Sequence, residues 1–484
     1  MSETYDLGFD APPPERRIYC NRTLNLRSIR AIGFDMDYTL IHYHVEAWER
    51  MAYEHLRQRL LTRGFPVNGI EFDNEMIRLG LILDLEHGNV VKANRFGFIK
   101  RAMHGTRMLD WQEQRERYER DIVDLANPRW QFLNTLFSLS EACMYAQLVD
   151  RLDRGEIPGT LGYADLYRAV RSSLDEAHME GQLKAQIMSD PDRFVMLDEE
   201  LPLALMDMRA AQKKLILITN SEWPYTQSMM SYAFDRFLPG EMTWRELFDM
   251  VIVSARKPSF FEHKNPCFEV IDAEGRLLPV LKPELGGTYV GAHAAAVETS
   301  LGLNGDEILY VGDHIFSDVR VSQSLLRWRT ALIMRPLEEE LEALTAFQEH
   351  QAELSAKMAH KTDLEHRFSR LRLGLLRLRQ GYGPQPAETE AELEKMMHAT
   401  REQLVRLDAQ IGPLAKAASE LVNERWGLLL RTGNDKSHLA RQIERYADVY
   451  MSRVSNLLAI TPFVYLRSGR TSLPHDHGPR GGDD

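Results

Sequence analysis

Residues 32–40 read Ile-Gly-Phe-Asp-Met-Asp-Tyr-Thr-Leu, and the rest of the chain falls into place around them. An apolar run enters from Ala31 and stops at two carboxylates, Asp35 and Asp37, with Thr39 close behind. A buried strand that ends in two acids crowds like charges at its C-terminal edge. That is costly unless a cation sits there. Hard oxygen ligands at such an edge suit Mg²⁺. A carboxylate beside that ion can also attack phosphorus and form an aspartyl-phosphate.

Four further apolar runs resemble the first: 214–219, 250–254, 307–311 and 330–334. They are continuous rather than alternating, and helical stretches separate them. This pattern predicts an α/β fold, a doubly wound parallel sheet covered on both faces. Several runs close on a polar residue, namely Asp35, Thr219, Ser254 and Asp313. In open α/β sheets the ligand site lies along these edges. Between Val45 and Met208 the periodicity reads as helical, with helices expected over Trp48–Leu61, Trp111–Leu125, Trp130–Leu148 and Tyr163–Met179.

The chain has 484 residues, enough for more than one domain, and a net charge of −12. That charge disfavours nucleic acid and anionic membrane as partners. Three scattered cysteines, Cys20, Cys143 and Cys267, offer neither a metal-binding spacing nor a disulfide framework. With no basic-then-apolar leader and no run long enough to span a bilayer, a cytoplasmic location is expected.

After Pro336 the composition shifts to Glu, Leu, Arg, Gln and Ala. Leucines recur at helical spacing on either side of Gly381-Tyr-Gly-Pro-Gln-Pro386, which predicts a long αα-hairpin over 337–427. It reads either as a solvated helical pair or as an oligomerisation arm. The expected plan is an arm and first core strand (1–40), a large, mostly helical cap insertion (41–210) and the catalytic core (211–336). The hairpin follows, then C-terminal helices packing on the core (428–473) and a disordered tail (474–484).

Phosphoryl transfer from a monoester needs a nucleophile, a cation, donors for the equatorial oxygens and an acid for the leaving alkoxide. The strand ends supply each. Asp35 is the candidate nucleophile and Asp37 the general acid. Thr219, Asn220 and Ser221 are candidate phosphate donors, and Lys257 faces the developing charge. Asp35, Asp37 and Asp313 are candidate metal ligands. Asp318 is either a water-mediated ligand or a partner that fixes Lys257. Each feature alone is an ordinary cap or turn. Their joint order, each at a strand's C-terminal end, is what points to chemistry.

These elements resemble the four motifs of the haloacid dehalogenase-like phosphatases, and within them the cytosolic purine 5′-nucleotidase family (type II, IMP/GMP-preferring). Phe34-Asp-Met-Asp-Tyr-Thr-Leu40 is similar to that family's first motif. Ala255-Arg-Lys-Pro258 with Phe260-Phe261 is similar to its third, and Gly312-Asp-His-Ile-Phe-Ser-Asp318 to its fourth. Phe132-Leu-Asn-Thr-Leu-Phe137 and Arg445-Tyr-Ala-Asp-Val-Tyr450 resemble it outside the motifs. The resemblance implies a HAD-like Rossmannoid core and a Mg²⁺-dependent nucleotide monophosphatase. It also implies substrate contacts from Arg171, Asp175, His178 and Lys184 in the cap.

The chain departs from the family in two places. The family places an aromatic for the base after a His-Gly pair; here Thr106 and Arg107 follow His104-Gly105. Arg107 is a candidate to stack on a base or bind phosphate, or else it faces solvent. The family's effector site uses a lysine where this chain has Ser324, while Gln442, Arg445 and Tyr446 match other parts of it. A nucleoside monophosphate substrate, a nucleotide effector and a homo-oligomer, dimer or tetramer, are the implied partners. A phosphotransferase, a phosphatase for another small phosphomonoester and a non-catalytic scaffold are the alternative readings.

Overall fold

The computed structural model describes residues 11–157, 159, 162–179, 181–272 and 275–470, without the side chains of residues 177–179. The tail 474–484 and the side chain of His178 lie outside the described residues. The chain divides into two units, residues 1–338 with 429–484, and residues 339–428.

The apolar runs form strands at Ala31–Phe34, Lys214–Ile218, Met250–Val253, Ile308–Gly312 and Arg329–Ile333. Each end lies within one residue of the sequence expectation. All five pair in parallel. Two further parallel strands flank them, Thr288–Gly291 beside Met250–Val253 and Val449–Met451 beside Arg329–Ile333. Antiparallel strands close both edges: Tyr19–Cys20 on one side, the hairpin Cys267–Val270 and Leu277–Val280 on the other. Residues 428–473, expected to be helical, thus supply a core strand as well as the helix His438–Tyr446.

The strand order fixes where a ligand can bind. From Ala31–Phe34 the sheet grows outward through Lys214–Ile218, Met250–Val253 and Thr288–Gly291. The chain then returns and lays Ile308–Gly312 along the other side of Ala31–Phe34. That reversal is a topological switch point, and a crevice opens there at the strands' C-terminal ends. Asp35 leaves one of these two strands and Asp313 follows the other. Behind them Tyr310 crosses the sheet face over Gly33, where a Cβ would stand 2.9 Å from the Tyr310 ring.

Between the first and second core strands lies the insertion. The helices Val45–Thr62, Leu139–Asp153 and Tyr163–Met179 pack on one another. A five-stranded antiparallel sheet accompanies them: Ile82–Asp84, Asn89–Ala93, Ile99–His104, Arg107–Met108 and Trp130–Phe132. Two of the four helices expected in this stretch, Trp111–Leu125 and Trp130–Leu148, therefore need correcting. Strands of two to six residues are too short for a period of two to outvote neighbouring helical periodicity. Trp130–Phe132 pairs with Ile82–Asp84, and its helix starts only at Leu139. The helix from Trp111, started by an Asp110–Glu113 capping box, stops at Tyr118. There the phenol donates to buried Asp84 at 2.9 Å, and Asp84 is also gripped by Arg129 at 2.8 Å.

Residues 339–428 form a helical pair. Gln348–Gln380 and Glu390–Glu420 run antiparallel around Leu364, Leu407 and Ile411. Gly381 ends the first helix in the left-handed region at φ 67°, and a Thr389–Glu392 capping box starts the second. Among the described residues no helix is long and apolar enough to cross a membrane.

Glu49 sits fully buried on the first insertion helix and accepts from the Ser140 amide at 2.6 Å. Burial pushes its carboxyl up to about 8, against the pull of that hydrogen bond. The folded chain thus holds a proton that the unfolded chain loses in the ordinary carboxylate range. The associated stability is complete in acid and is lost as pH rises through about 8. Glu49→Gln keeps an acceptor for the amide and removes the charge. Its melting temperature is expected to match wild type at about pH 4, where both states hold the Glu49 proton, and to exceed it by several degrees above about pH 8.5. Parallel melting curves at both pH values would count against a neutral buried Glu49.

Candidate active site

Three carboxylates and one ammonium meet where the strands Ala31–Phe34 and Ile308–Gly312 end. Lys257 Nζ lies 2.8 Å from Asp35 Oδ1 and 2.8 Å from Asp318 Oδ1. Lys257, Asp35 and Asp318 are all buried. The same ammonium donates to the Tyr310 hydroxyl at 3.1 Å. Carboxylate oxygens of Asp35, Asp313 and Asp318 lie within 4.8 Å of one another.

The local backbone explains this convergence. The Asp35 amide stays in the sheet, donating to Val311 O at 2.9 Å. Its carboxylate turns back to accept from the Met36 amide at 2.7 Å. Tyr38 then takes φ 55°, a strained region for an aromatic residue. Its buried ring packs edge-on to Tyr43 and Phe137, with centroids 5.3 and 4.6 Å away. On the other strand Gly312 makes room for Asp318. A Cβ at Gly312 would stand 2.7 Å from Asp318 Oδ2 and 2.8 Å from its Cβ. Asp318 lies in a π-helical turn, Ile315–Arg320, and its Oδ2 accepts from the His314 amide at 3.2 Å.

The charges are out of balance. Burial pushes Asp35 up to about 7, opposed by Lys257 and reinforced by Asp318 and Asp37. Burial, then Asp35 and Asp318, hold Asp313 well above its usual range. Burial alone would lower Lys257; Asp318 and Asp35 overcome it and raise the ammonium well above its ordinary value. One ammonium against three carboxylates leaves net negative charge in a buried, all-oxygen donor set. That set fits a hard divalent cation.

Asp37 stands beside this group and faces a different way. Its Oδ2 accepts from Ser221 at 2.6 Å and its Oδ1 from Tyr43 at 2.5 Å. Among the described residues, the carboxylate grouped with Asp35 and Asp313 is therefore Asp318, with Asp37 turned to hydroxyls.

The remaining candidates divide into those near this centre and those held elsewhere. Thr219 Oγ1 accepts from the Ser221 amide at 3.0 Å. Asn220 clasps the Lys257 backbone, accepting from its amide at 2.6 Å and donating to its carbonyl at 3.2 Å. Lys184 reaches in from the insertion and donates to Ser221 at 3.1 Å. Arg171 is held by buried Glu141 at 2.8 Å and lies 3.4 Å from Asp175. With His314 and Phe316 it lines a cavity of about 710 Å³ that extends to Gln442, Arg445 and Tyr446. Thr106 and Arg107 make their contacts elsewhere, Thr106 with Asp150 at 2.6 Å and exposed Arg107 with Glu113 at 2.8 Å.

Sequence reasoning passed over Tyr43, Tyr225, Tyr310 and Glu141. Tyr310 left one trace, as the only hydroxyl in the otherwise apolar run 308–312. The other three carry no signal until the fold brings them together.

The 5′ nucleotidase family model matches residues 18–478. A curated relative, the Homo sapiens 5′-nucleotidase domain-containing protein 2, is 26% identical over 490 residues, covering 96% of this chain and 88% of its own. Solved structures that resemble it include a haloacid dehalogenase-like family hydrolase from Xanthomonas campestris (13% identity, 63% of this chain and 82% of that one, TM-score 0.25). Another is a β-phosphoglucomutase from Pyrococcus sp. strain ST 04 (11%, 63% and 86%, TM-score 0.30). At those TM-scores neither structure carries weight. The family match runs through every strand end that contributes to the buried acids and their lysine, and the chain belongs to the 5′ nucleotidase family, as a phosphatase enzyme.

Proposed function

We propose that the protein hydrolyses nucleoside 5′-monophosphates, with Mg²⁺ bound at Asp35, Asp313 and Asp318 and a phosphoryl group carried transiently on Asp35. The observation that carries this reading is the ammonium of Lys257, 2.8 Å from both Asp35 and Asp318, beside an otherwise unbalanced acid cluster.

Lys257 holds Asp35 on one oxygen, which leaves the other free to attack phosphorus. Asp37 gives its proton to the bridging ester oxygen as that bond breaks, and the alcohol leaves. Asp37, now a carboxylate, takes a proton from water as the water attacks the aspartyl-phosphate, which restores Asp35 and releases phosphate. Thr219 and Lys184 are the candidate donors for the equatorial oxygens, while Ser221, a further candidate by sequence, has its hydroxyl committed to Asp37. Asn220 acts indirectly, by fixing the backbone that carries Lys257. When bound, the divalent cation offsets repulsion between the carboxylates and a phosphate dianion.

Arg171, Asp175, His178 and Lys184 remain the candidates for nucleoside contacts, as the resemblance implies. Thr106 and Arg107 are weaker ones, since both are engaged by other side chains. A purine of the IMP/GMP kind is the expected base. The cavity that ends at Gln442, Arg445 and Tyr446 is where an effector nucleotide would bind, with Ser324 in place of the family's lysine.

Two measurements test this reading. Phosphate release from a panel of nucleoside 5′-monophosphates should require Mg²⁺ and stop with a chelator. Silence across the whole panel with Mg²⁺ present would end the nucleotidase proposal. Asp35→Asn should lower turnover by about 10⁴-fold or more while inorganic phosphate still binds. Near-normal turnover in that variant would remove Asp35 as the nucleophile.

A further inference from the structure

Tyr43 is 1% exposed, and its hydroxyl donates to Asp37 Oδ1 at 2.5 Å. The opposite oxygen of that carboxylate accepts from Ser221 at 2.6 Å. Two hydroxyls from distant parts of the chain therefore hold the two oxygens of one acid. Packing alone does not call for a phenol here. The Tyr43 ring rests against Trp48, 4.8 Å between centroids, and edge-on to Tyr38 at 5.3 Å. A phenylalanine would fill the same space. A buried hydroxyl without a partner is costly, so the group that receives it is what gives it use.

The surroundings of Tyr43 are ordered from both sides. Its hydroxyl lies 3.0 Å from that of Tyr225. Lys184 lies 4.9 Å from the Tyr225 ring centroid and also donates to Ser221 at 3.1 Å. The short strand His42–Tyr43 pairs with Val195–Met196, so it ties the start of the insertion to a segment near its end. Tyr43 is thus anchored at the base of the insertion and aimed into the core site.

We propose that Tyr43 is a positioning residue: together with Ser221 it fixes the rotation of the Asp37 carboxyl, so that one defined oxygen meets the leaving group of the ester. This rests on the reading of Asp37 as the general acid. In the step concerned, an Asp35 oxygen forms a bond to phosphorus and the bond from phosphorus to the ester oxygen breaks. The electron pair stays on that oxygen, and the proton passes to it from Asp37. Tyr43 and Ser221 keep their own protons throughout.

The leaving group supplies the test. A nucleoside alkoxide needs protonation to depart, whereas 4-nitrophenolate departs with little help. With Mg²⁺ present, Tyr43→Phe is expected to lower kcat on a nucleoside 5′-monophosphate by about tenfold or more. On 4-nitrophenyl phosphate the loss should stay below about threefold, with KM moving less than kcat. Because the role runs through Asp37, Tyr43→Phe should cost nothing further on the nucleotide in an Asp37→Asn background. Tyr225→Phe, which removes the hydroxyl behind Tyr43, should show the same selectivity at smaller size and serves if Tyr43→Phe does not fold. Equal losses on the two esters, or a full extra loss in the Asp37→Asn background, would overturn the positioning role. Wild-type protein that turns over neither ester would instead overturn the phosphatase reading beneath it.

Discussion

Lys257 is a buried ammonium, 2.8 Å from each of two buried carboxylates, and the whole site is arranged around its charge. A lone ammonium at that depth would give up its proton, and lone carboxylates would take one up. Set between Asp35 and Asp318, the ammonium keeps its charge. Removing one member of such a group strands the others, at a cost of about 3–5 kcal/mol. The surrounding chain is built to hold the three in register. Asn220 clasps the backbone of Lys257, and Tyr310 caps the ammonium from behind. Gly312 lets Asp318 close in to a distance that no side chain at 312 would permit.

The sheet supplies that register without any of these residues being neighbours in sequence. Asp35 follows one strand of the topological switch and Asp313 the other, while Thr219 and Lys257 follow the next two strands outward. The insertion leaves the sheet just after Asp37 and returns before the strand that leads to Thr219. Its Lys184 reaches back to Ser221, and Ser221 touches Asp37. Asp37 is thus reached, through Ser221, by a contact that begins on the insertion, whereas the ammonium paired with Asp35 and Asp318 comes from the core.

The strand ends were legible in the sequence because burial on both faces demands continuous apolar runs, and such runs end visibly when a carboxylate or threonine follows. Thr288–Gly291 was not legible, since Gly286-Gly287 before it and the glycine that ends it read as a loop. Val449–Met451 was hidden by its length of three residues. The insertion's sheet was hidden by the same brevity, with polar residues such as Asp84 and Asn89 buried in a hydrogen-bonded network rather than on an exposed face. Of the two roles left open for Asp318, its ion pair realises contact with Lys257, and its place in the acid cluster leaves ligation available as well. The hydroxyls around Asp37 had no signature, because Tyr43 and Tyr225 are ordinary buried aromatics until the fold brings their oxygens to within 3.0 Å.

The strand Val449–Met451 pairs with Arg329–Ile333 across the whole of residues 339–428. During synthesis, the helical pair leaves the ribosome before the strand that completes the parallel sheet. Its contacts are close in sequence and can form as soon as both helices are out. The sheet must meanwhile wait with the Arg329–Ile333 edge open and unpaired. A helical pair formed first would take its own residues out of the flexible chain between the two strands and leave only the segments on either side of it as loop. The hairpin can thus act as an internal clamp that makes the last strand's search a local one.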